Sequence, residues 1–358
     1  AVVWLFALWS AKTDTVVLIG VLFGIAACMI WGSVYVAPLM LPDYSPAVIA
    51  MVRYLVFGML SLGFAFSQWK ELQTYQWTDW RRATALGIVG NIFYYWLLAE
   101  ACQRAGASIA GAFTAMIPIL VAVIGNLRAK EKAKPWRRLL PPLLLVLLGM
   151  ICLNWTEFVV LVGSGSVTSG DFWLGVLFAF LSLFVWTWYP LSNAEWLLAH
   201  PNHSPRTWST AQGLTLLPCA FIGILLLFAN ESPETIMGPT PWLFLCVVLF
   251  LGIFASWIGI VFWSLMSQRL PPALGGQMII FETLFAVIYA HLWREEWPTP
   301  LLVVGMTLLL LGVLGSLRVF RSQHSWLRYH ATVERIPSSK VMSGVQPSVS
   351  RSLVQLSA

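Results

Sequence analysis

Charge is what this sequence has least of. Only 10% of its 358 residues are Asp, Glu, Lys or Arg, against about 25% in an ordinary soluble domain. So few charges cannot cover a surface that meets water on all sides. That excludes a soluble enzyme, a disordered chain and a nucleic-acid-binding domain, although the net charge is +6. Cysteine is also scarce. Cys28, Cys102, Cys152, Cys219 and Cys246 all lie within or at the ends of apolar runs, so they read as small hydrophobes rather than a disulfide framework or a metal cluster. No GxxxxGK[ST] phosphate loop occurs, which leaves ATP-driven transport by this chain alone unsupported. The five histidines lack zinc spacing on a helix, and His200 and His203 flank prolines in a loop. No catalytic residues, cofactor or metal are expected.

What is abundant is apolar length. Hydrophobic residues make up 59% of the chain, and mean hydropathy is +0.78. The runs are continuous and about 20 residues long, the length of a membrane-crossing helix. A transmembrane barrel would need alternating segments half that size. Ten spans separate: 15–39, 46–67, 83–103, 107–127 and 136–155, then 171–198, 207–229, 241–268, 273–293 and 299–320. Pro46, Pro135, Pro205, Pro241, Pro272 and Pro298 sit at or just before starts, where a missing N–H costs nothing. The stretch AVVWLFALWS at the beginning is apolar but too short to span, and with no basic region before it a signal peptide is not expected. The organisation expected is a cytoplasmic segment over 1–14, five spans over 15–155, an outer Gly/Ser-rich link over 156–170, and five spans over 171–320. A basic, Ser-rich, disordered tail over 321–358 follows.

Lys and Arg set the orientation. With the N-terminus inside, eighteen of the 21 basic residues fall on the cytoplasmic side. They cluster at Lys70, Arg81 and Arg82, at Arg128–Arg138, and in the tail. Arg104 and Arg294 alone fall outside, and Arg53 lies within span 2. Both termini are therefore placed inside.

The halves also resemble each other. GVLFGIAACMIW from Gly20 matches GVLFAFLSLFVW from Gly175, so Trp31 falls on Trp186 at an offset of 155. Ser45-Pro46 matches Ser204-Pro205, Gln103-Arg104 matches Gln268-Arg269, and Ala122-Val123-Ile124 matches Ala286-Val287-Ile288, with offsets of 159, 165 and 164. Each half has an odd number of spans, so the second copy enters the membrane inverted. Two inverted copies that exchange conformations are the architecture of alternating access in secondary transporters.

Trp31-Gly32-Ser33, Ser45-Pro46 and Arg53, the turn Arg104-Ala105-Gly106-Ala107-Ser108 with Pro118 in span 4, and Trp293-Arg294-Glu295-Glu296-Trp297-Pro298 before span 10 together resemble the ten-helix, EamA-like branch of the drug/metabolite transporter superfamily. The resemblance covers about residues 15–320. It implies an all-α integral membrane fold, a 5+5 inverted repeat with a cavity lined by spans 1, 3, 4, 6, 8 and 9, and transport of a small organic solute. One departure stands out: Glu282-Thr283 stands where members commonly have a proline in span 9 matching Pro118.

Glu282 is the sharpest candidate. An ionised carboxylate facing lipid at mid-span costs several kcal/mol, so Glu282 must face the interior, pair with a cation or be protonated. Those states suit a proton-coupling site or a counter-charge for an amino group, and a structural bond between helices is the plain alternative. Arg53 reads as structural or gating, and Glu100 as lying either at the cavity mouth or at the interface. Trp31, Asn91, Tyr94, Tyr95, Trp186, Tyr189, Trp257, Ser264 and Gln277 lie deep in spans and form the candidate cavity, aromatic walls with a few polar groups; helix packing is their alternative role. The expected protein is a secondary transporter exporting an amino acid or related metabolite across the inner membrane, as a monomer or weak homodimer. An uncoupled facilitator or exchanger of a metabolite or nucleotide sugar is the alternative within that class, and a membrane-embedded enzyme or receptor the alternative outside it. The expected partners are a small solute and the bilayer, with no nucleic acid.

Overall fold

Prolines open five of the helices in the computed structural model: Pro46, Pro205, Pro241 and Pro272 as expected, and Pro300 where Pro298 was expected, while Pro135 lies outside the described residues. The described residues are 15–128, 136–163, 170–230, 236, 238–270, 272–295 and 297–321, and all are helical or in short connections, with no strand among them. The N-terminal segment, the lysine-rich link at 129–135 and the tail from 322 lie outside the described residues. Contacts given below fall within Ala1–Val319, one compact unit, and Phe320–Ala358 is a second.

The elements are α1 (Thr15–Gly32), a 3-10 turn (Ser33–Tyr35), α2 (Ala37–Met40), α3 (Pro46–Leu72) and α4 (Trp77–Gly87). A π-helical stretch (Ile88–Phe93) leads into α5 (Tyr94–Ala105), followed by α6 (Ala107–Ala115), α7 (Ile117–Arg128) and α8 (Trp136–Gly163). The second half has α9 (Gly170–Ala199), α10 (Pro205–Asn230), α11 (Pro241–Phe250), a π-helical stretch (Leu251–Ile258), α12 (Gly259–Ser267), α13 (Pro272–Arg294) and α14 (Pro300–Arg321).

Where the helices depart from the expected spans, a local cause is visible. The run 15–39 breaks at Ser33–Val36 because Pro38 has no N–H for the preceding turn and its ring crowds it. Pro118 splits 107–127 at Met116 for the same reason. The third run begins at Trp77, ahead of 83, because Asp79 accepts the Gln76 N–H at 2.8 Å and caps an extra, more polar turn. Ser45 caps α3 as its position suggests, accepting from Val48 N at 3.2 Å. Helix α8 continues to Gly163, past 155, carried by the apolar run FVVLV.

Among the described residues, six stretches are long and apolar enough to cross a membrane: Leu18–Met40, Pro46–Leu72, Trp77–Ala105, Gly170–Ala199, Pro205–Asn230 and Pro241–Ser267. Shorter apolar helices run over Ile109–Val121, Met278–Trp293 and Pro300–Gly312. The most extensive packing joins the halves: α3 against α10, α5 against α9, and α1 against both α12 and α13. Small residues let backbones touch. A Cβ on Gly32 would stand 2.9 Å from Ala286 N, and one on Gly149 would stand 2.8 Å from Gly305 O, so α1 meets α13 and α8 meets α14 at these points.

Candidate functional site

The approach at Gly32 carries the neighbouring turn of the first run onto α13. Tyr35, on the 3-10 turn just beyond, donates its hydroxyl to Glu282 Oε1 at 3.1 Å. Both residues are only 2% exposed. Glu282 Oε2 has no hydrogen-bond partner, nor do the Tyr94 hydroxyl and the Trp186 indole N–H, all of them buried. Trp186 faces the carboxylate without reaching hydrogen-bond geometry. Three buried polar groups left unpaired in one place are costly and mark a position where a ligand or a water would satisfy them.

Aromatic rings wall this position. Tyr94 stacks on Trp186 at 4.4 Å between centroids, and Trp186 stacks on Tyr189 at 5.1 Å. Trp31 stands edge-on to Trp186 at 5.2 Å and lies against Trp263 at 5.1 Å. Its indole N–H is fixed on Ala255 O at 2.8 Å, a carbonyl within the second π-helical stretch. The absent side chain of Gly259 makes room for that indole, since a Cβ would come within 2.4 Å of Nε1.

Arg53 is the cation of this interior. It is buried, donates Nε–H to Ser256 Oγ at 3.0 Å, and lies over the rings of Tyr95 at 4.3 Å and Tyr54 at 5.0 Å. Its charge also acts on Glu282 without a direct ion pair. A guanidinium held between two aromatic faces and a hydroxyl is oriented and partly neutralised without a carboxylate.

A second polar group is closed on itself. Asn193 Oδ1 accepts from Trp208 Nε1 at 2.8 Å and from Gln212 Nε2 at 3.3 Å, and its amide donates to Ser264 Oγ at 3.3 Å. Tyr189 donates to Gln212 Oε1 at 3.1 Å, which joins this network to the aromatic column. The Asn91 side-chain amide is used locally, donating to Leu86 O at 3.0 Å, while its backbone carbonyl takes the Tyr54 hydroxyl of α3 at 2.9 Å. The void bordered by Pro190, Trp263 and Gly276 measures about 10 Å³, room for one water.

Both ends of this interior are closed by contacts between the halves. At the end bearing Lys70, Arg81 and Arg82, Glu71 accepts from Ser204 N at 2.5 Å and Thr207 Oγ1 at 2.7 Å, with His203 at 3.6 Å. Asp79 accepts from Trp196 Nε1 at 2.9 Å, with His200 at 3.7 Å. Trp196 stacks on Trp208 at 3.5 Å. Tyr75 is packed among these rings, and burial together with the Glu71 and Asp79 carboxylates raises its hydroxyl far above the ordinary tyrosine range. At the opposite end, Tyr44 Oη accepts from Thr240 N of the other half at 3.2 Å, and Tyr44 is itself held within the first half by Gln103 Nε2, which donates to its backbone carbonyl at 2.9 Å.

Of the residues singled out in the sequence, Glu282, Trp31, Tyr94, Trp186 and Tyr189 come together, and Arg53 with Tyr95 lies beside them. Ser264 joins the Asn193 network. Trp257 lies apart, half-buried, stacked on Phe64 at 4.5 Å and donating to Thr210 Oγ1 at 3.2 Å. Glu100 pairs with Arg104 at 2.7 Å, and Arg104 also pairs with Asp171, a cluster at the end of α5. Gln277 lies on α13, and its side chain is outside the described residues. Sequence reasoning missed Tyr35 and Gln212. Tyr35 carried a usable signal: it stands four residues after Trp31, on the same helical face.

Comparison with known proteins agrees with this architecture. The EamA-like transporter family matches residues 18–155 and again 173–318. The inner membrane protein YtfF of Escherichia coli (strain K12) is 32% identical over 306 residues, spanning 84% of this chain and 95% of that protein. A solved crystal structure superposes with a TM-score of 0.62 over 85% of this chain and 98% of that chain. At 16% identity that likeness shows the fold alone.

Proposed function

The chain belongs to the EamA-like transporter family, a transporter rather than an enzyme, and on that premise we propose how it works. It is a multi-pass protein of the inner membrane that moves a small organic solute outward, an amino acid or related metabolite, by alternating access of two inverted five-span repeats with both termini inside. Several observations support the repeat. The family matches twice along the chain. The π-helical stretches Ile88–Phe93 and Leu251–Ile258 occupy counterpart positions at the 165-residue offset. The packing is reciprocal as well: α5 on α9 has its counterpart in α12 on α1, and α6 on α9 in α13 on α1.

The observation that carries the mechanism is the buried Glu282 carboxylate with one oxygen on Tyr35 and the other unpartnered. It serves as the counter-charge for a proton or for the solute's amino group, each displacing the other, and Arg53 holds the opposite sign nearby. At the repeat offsets Tyr35 falls on Pro190 and Glu282 on Pro118. The pair therefore occurs once, and one charge site serves both conformations. The test is flux in proteoliposomes, using as probe the amino acid that most raises the melting temperature of the purified protein. Glu282→Gln is expected to abolish the dependence of flux on the pH gradient. An unchanged dependence refutes coupling through Glu282, and turnover of the probe without flux refutes a transporter.

A further inference from the structure

A cleft of about 490 Å³ opens between the Ser33–Met40 segment, α11 and α13. Its volume is that of a small-molecule site. Val36, Ala37, Met40, Leu243, Phe250 and Leu292 make its walls apolar, and no charged residue lines it. The two hydroxyls on its rim are already used: Ser33 donates to Ile30 O at 2.6 Å and Tyr289 to Met29 O at 2.9 Å. The walls therefore offer no free hydroxyl to a hydrophilic solute and suit an apolar body.

The charge lies further along the same surfaces. Tyr289 and Trp293 line the cleft at seven and eleven residues from Glu282, spacings that put all three on one face of α13. On the facing segment, Ser33 and Val36 line the cleft while Tyr35 between them holds Glu282. Between cleft and carboxylate stand the 3-10 turn Ser33–Tyr35, a form that often marks a hinge within a helical run, and the contact of Gly32 with Phe285 and Ala286 on α13, which such a hinge would have to part.

We propose that this cleft is a portal from the bilayer for amines with an apolar body, which seat the body between α11 and α13 and present the ammonium to Glu282. The proposal rests on reading Glu282 as a counter-charge. The absence of charge in the cleft and the unpartnered carboxylate oxygen beyond it select a cation over a neutral or anionic amphiphile.

Cys246 supplies the test, because it is exposed and lines the cleft, whereas Cys28 and Cys102 are buried and Cys152 and Cys219 half-buried. The full chain in proteoliposomes is labelled with a lipid-soluble maleimide, with Cys246→Ala identifying the labelled thiol. Decylamine is expected to slow labelling at least tenfold, and decanol at equal membrane content less than twofold. Glu282→Gln should reduce decylamine to the level of decanol, while Glu282→Asp, which keeps the carboxylate and controls for misfolding, should retain protection. Equal slowing by amine and alcohol, or protection that survives in Glu282→Gln, overturns the portal: the cleft then holds only bilayer lipid. Amino-acid flux in the same vesicles separates the two readings. Gradient dependence lost in Glu282→Gln with amine protection intact overturns the portal alone, whereas gradient dependence retained there overturns the role of Glu282 beneath it.

Discussion

A carboxylate buried in a bilayer-spanning bundle is tolerated only where its surroundings compensate for the lost water. Around Glu282 the compensation is partial: one hydroxyl donates, an arginine acts from a distance, and one oxygen stays unpaired. The Asn193 network is the contrast, because there donors and acceptors meet one another. The two should respond differently to mutation. Asn193→Ala strands the buried Trp208 and Gln212 donors and is expected to cost about 1–3 kcal/mol of stability, read as a lowered melting temperature in detergent. Tyr35→Phe keeps the ring and its packing, and so should leave the melting temperature within a few degrees while cutting probe flux severalfold. Equal effects of the two substitutions on stability would contradict the distinction. Glu282 was legible in the sequence because a charge stands out in an apolar run. Gln212 was not, because uncharged polar residues in such runs pack or bind with equal ease and only the partner on another helix decides which; Tyr35 was signalled only by its four-residue spacing from Trp31.

At the scale of the element, the exceptions to regular α-helix follow their causes closely. Pro38 and Pro118 break two runs that hydropathy alone joined. The π-helical stretches carried no such marker, since IVGNIF and LGIFASWI are compatible with an ordinary helix; tertiary contacts decide them. One such stretch supplies the carbonyl that fixes Trp31, and the other holds Asn91. Two predictions belong here. Gly149→Leu pushes a side chain against the α14 backbone and is expected to cost about 1–3 kcal/mol through overpacking, seen as a lower melting temperature. Glu71→Ala removes the acceptor that ties the α3 end to Ser204 and Thr207. A cysteine placed at Ser209, which is fully buried, should then react several times faster with a water-soluble maleimide; an unchanged rate would mean that Glu71 does not help close that end.

For the whole molecule, composition and basic-residue placement carry the most information. Ten apolar runs, a one-sided distribution of Lys and Arg, and ordered matches between the halves are all legible in the sequence. Which helices pack across the halves was not, because apolar faces look alike in sequence. The central claim is that solute and proton exchange at Glu282, and it is tested most directly by proton movement driven by solute. Proteoliposomes are loaded with the probe amino acid and a pH-sensitive dye, then diluted into probe-free buffer of equal pH. The account predicts that probe efflux draws protons inward and acidifies the lumen in the wild type, and that Glu282→Gln leaves lumen pH unchanged. Probe efflux from the wild type with no pH change, or the same acidification in Glu282→Gln, would contradict it.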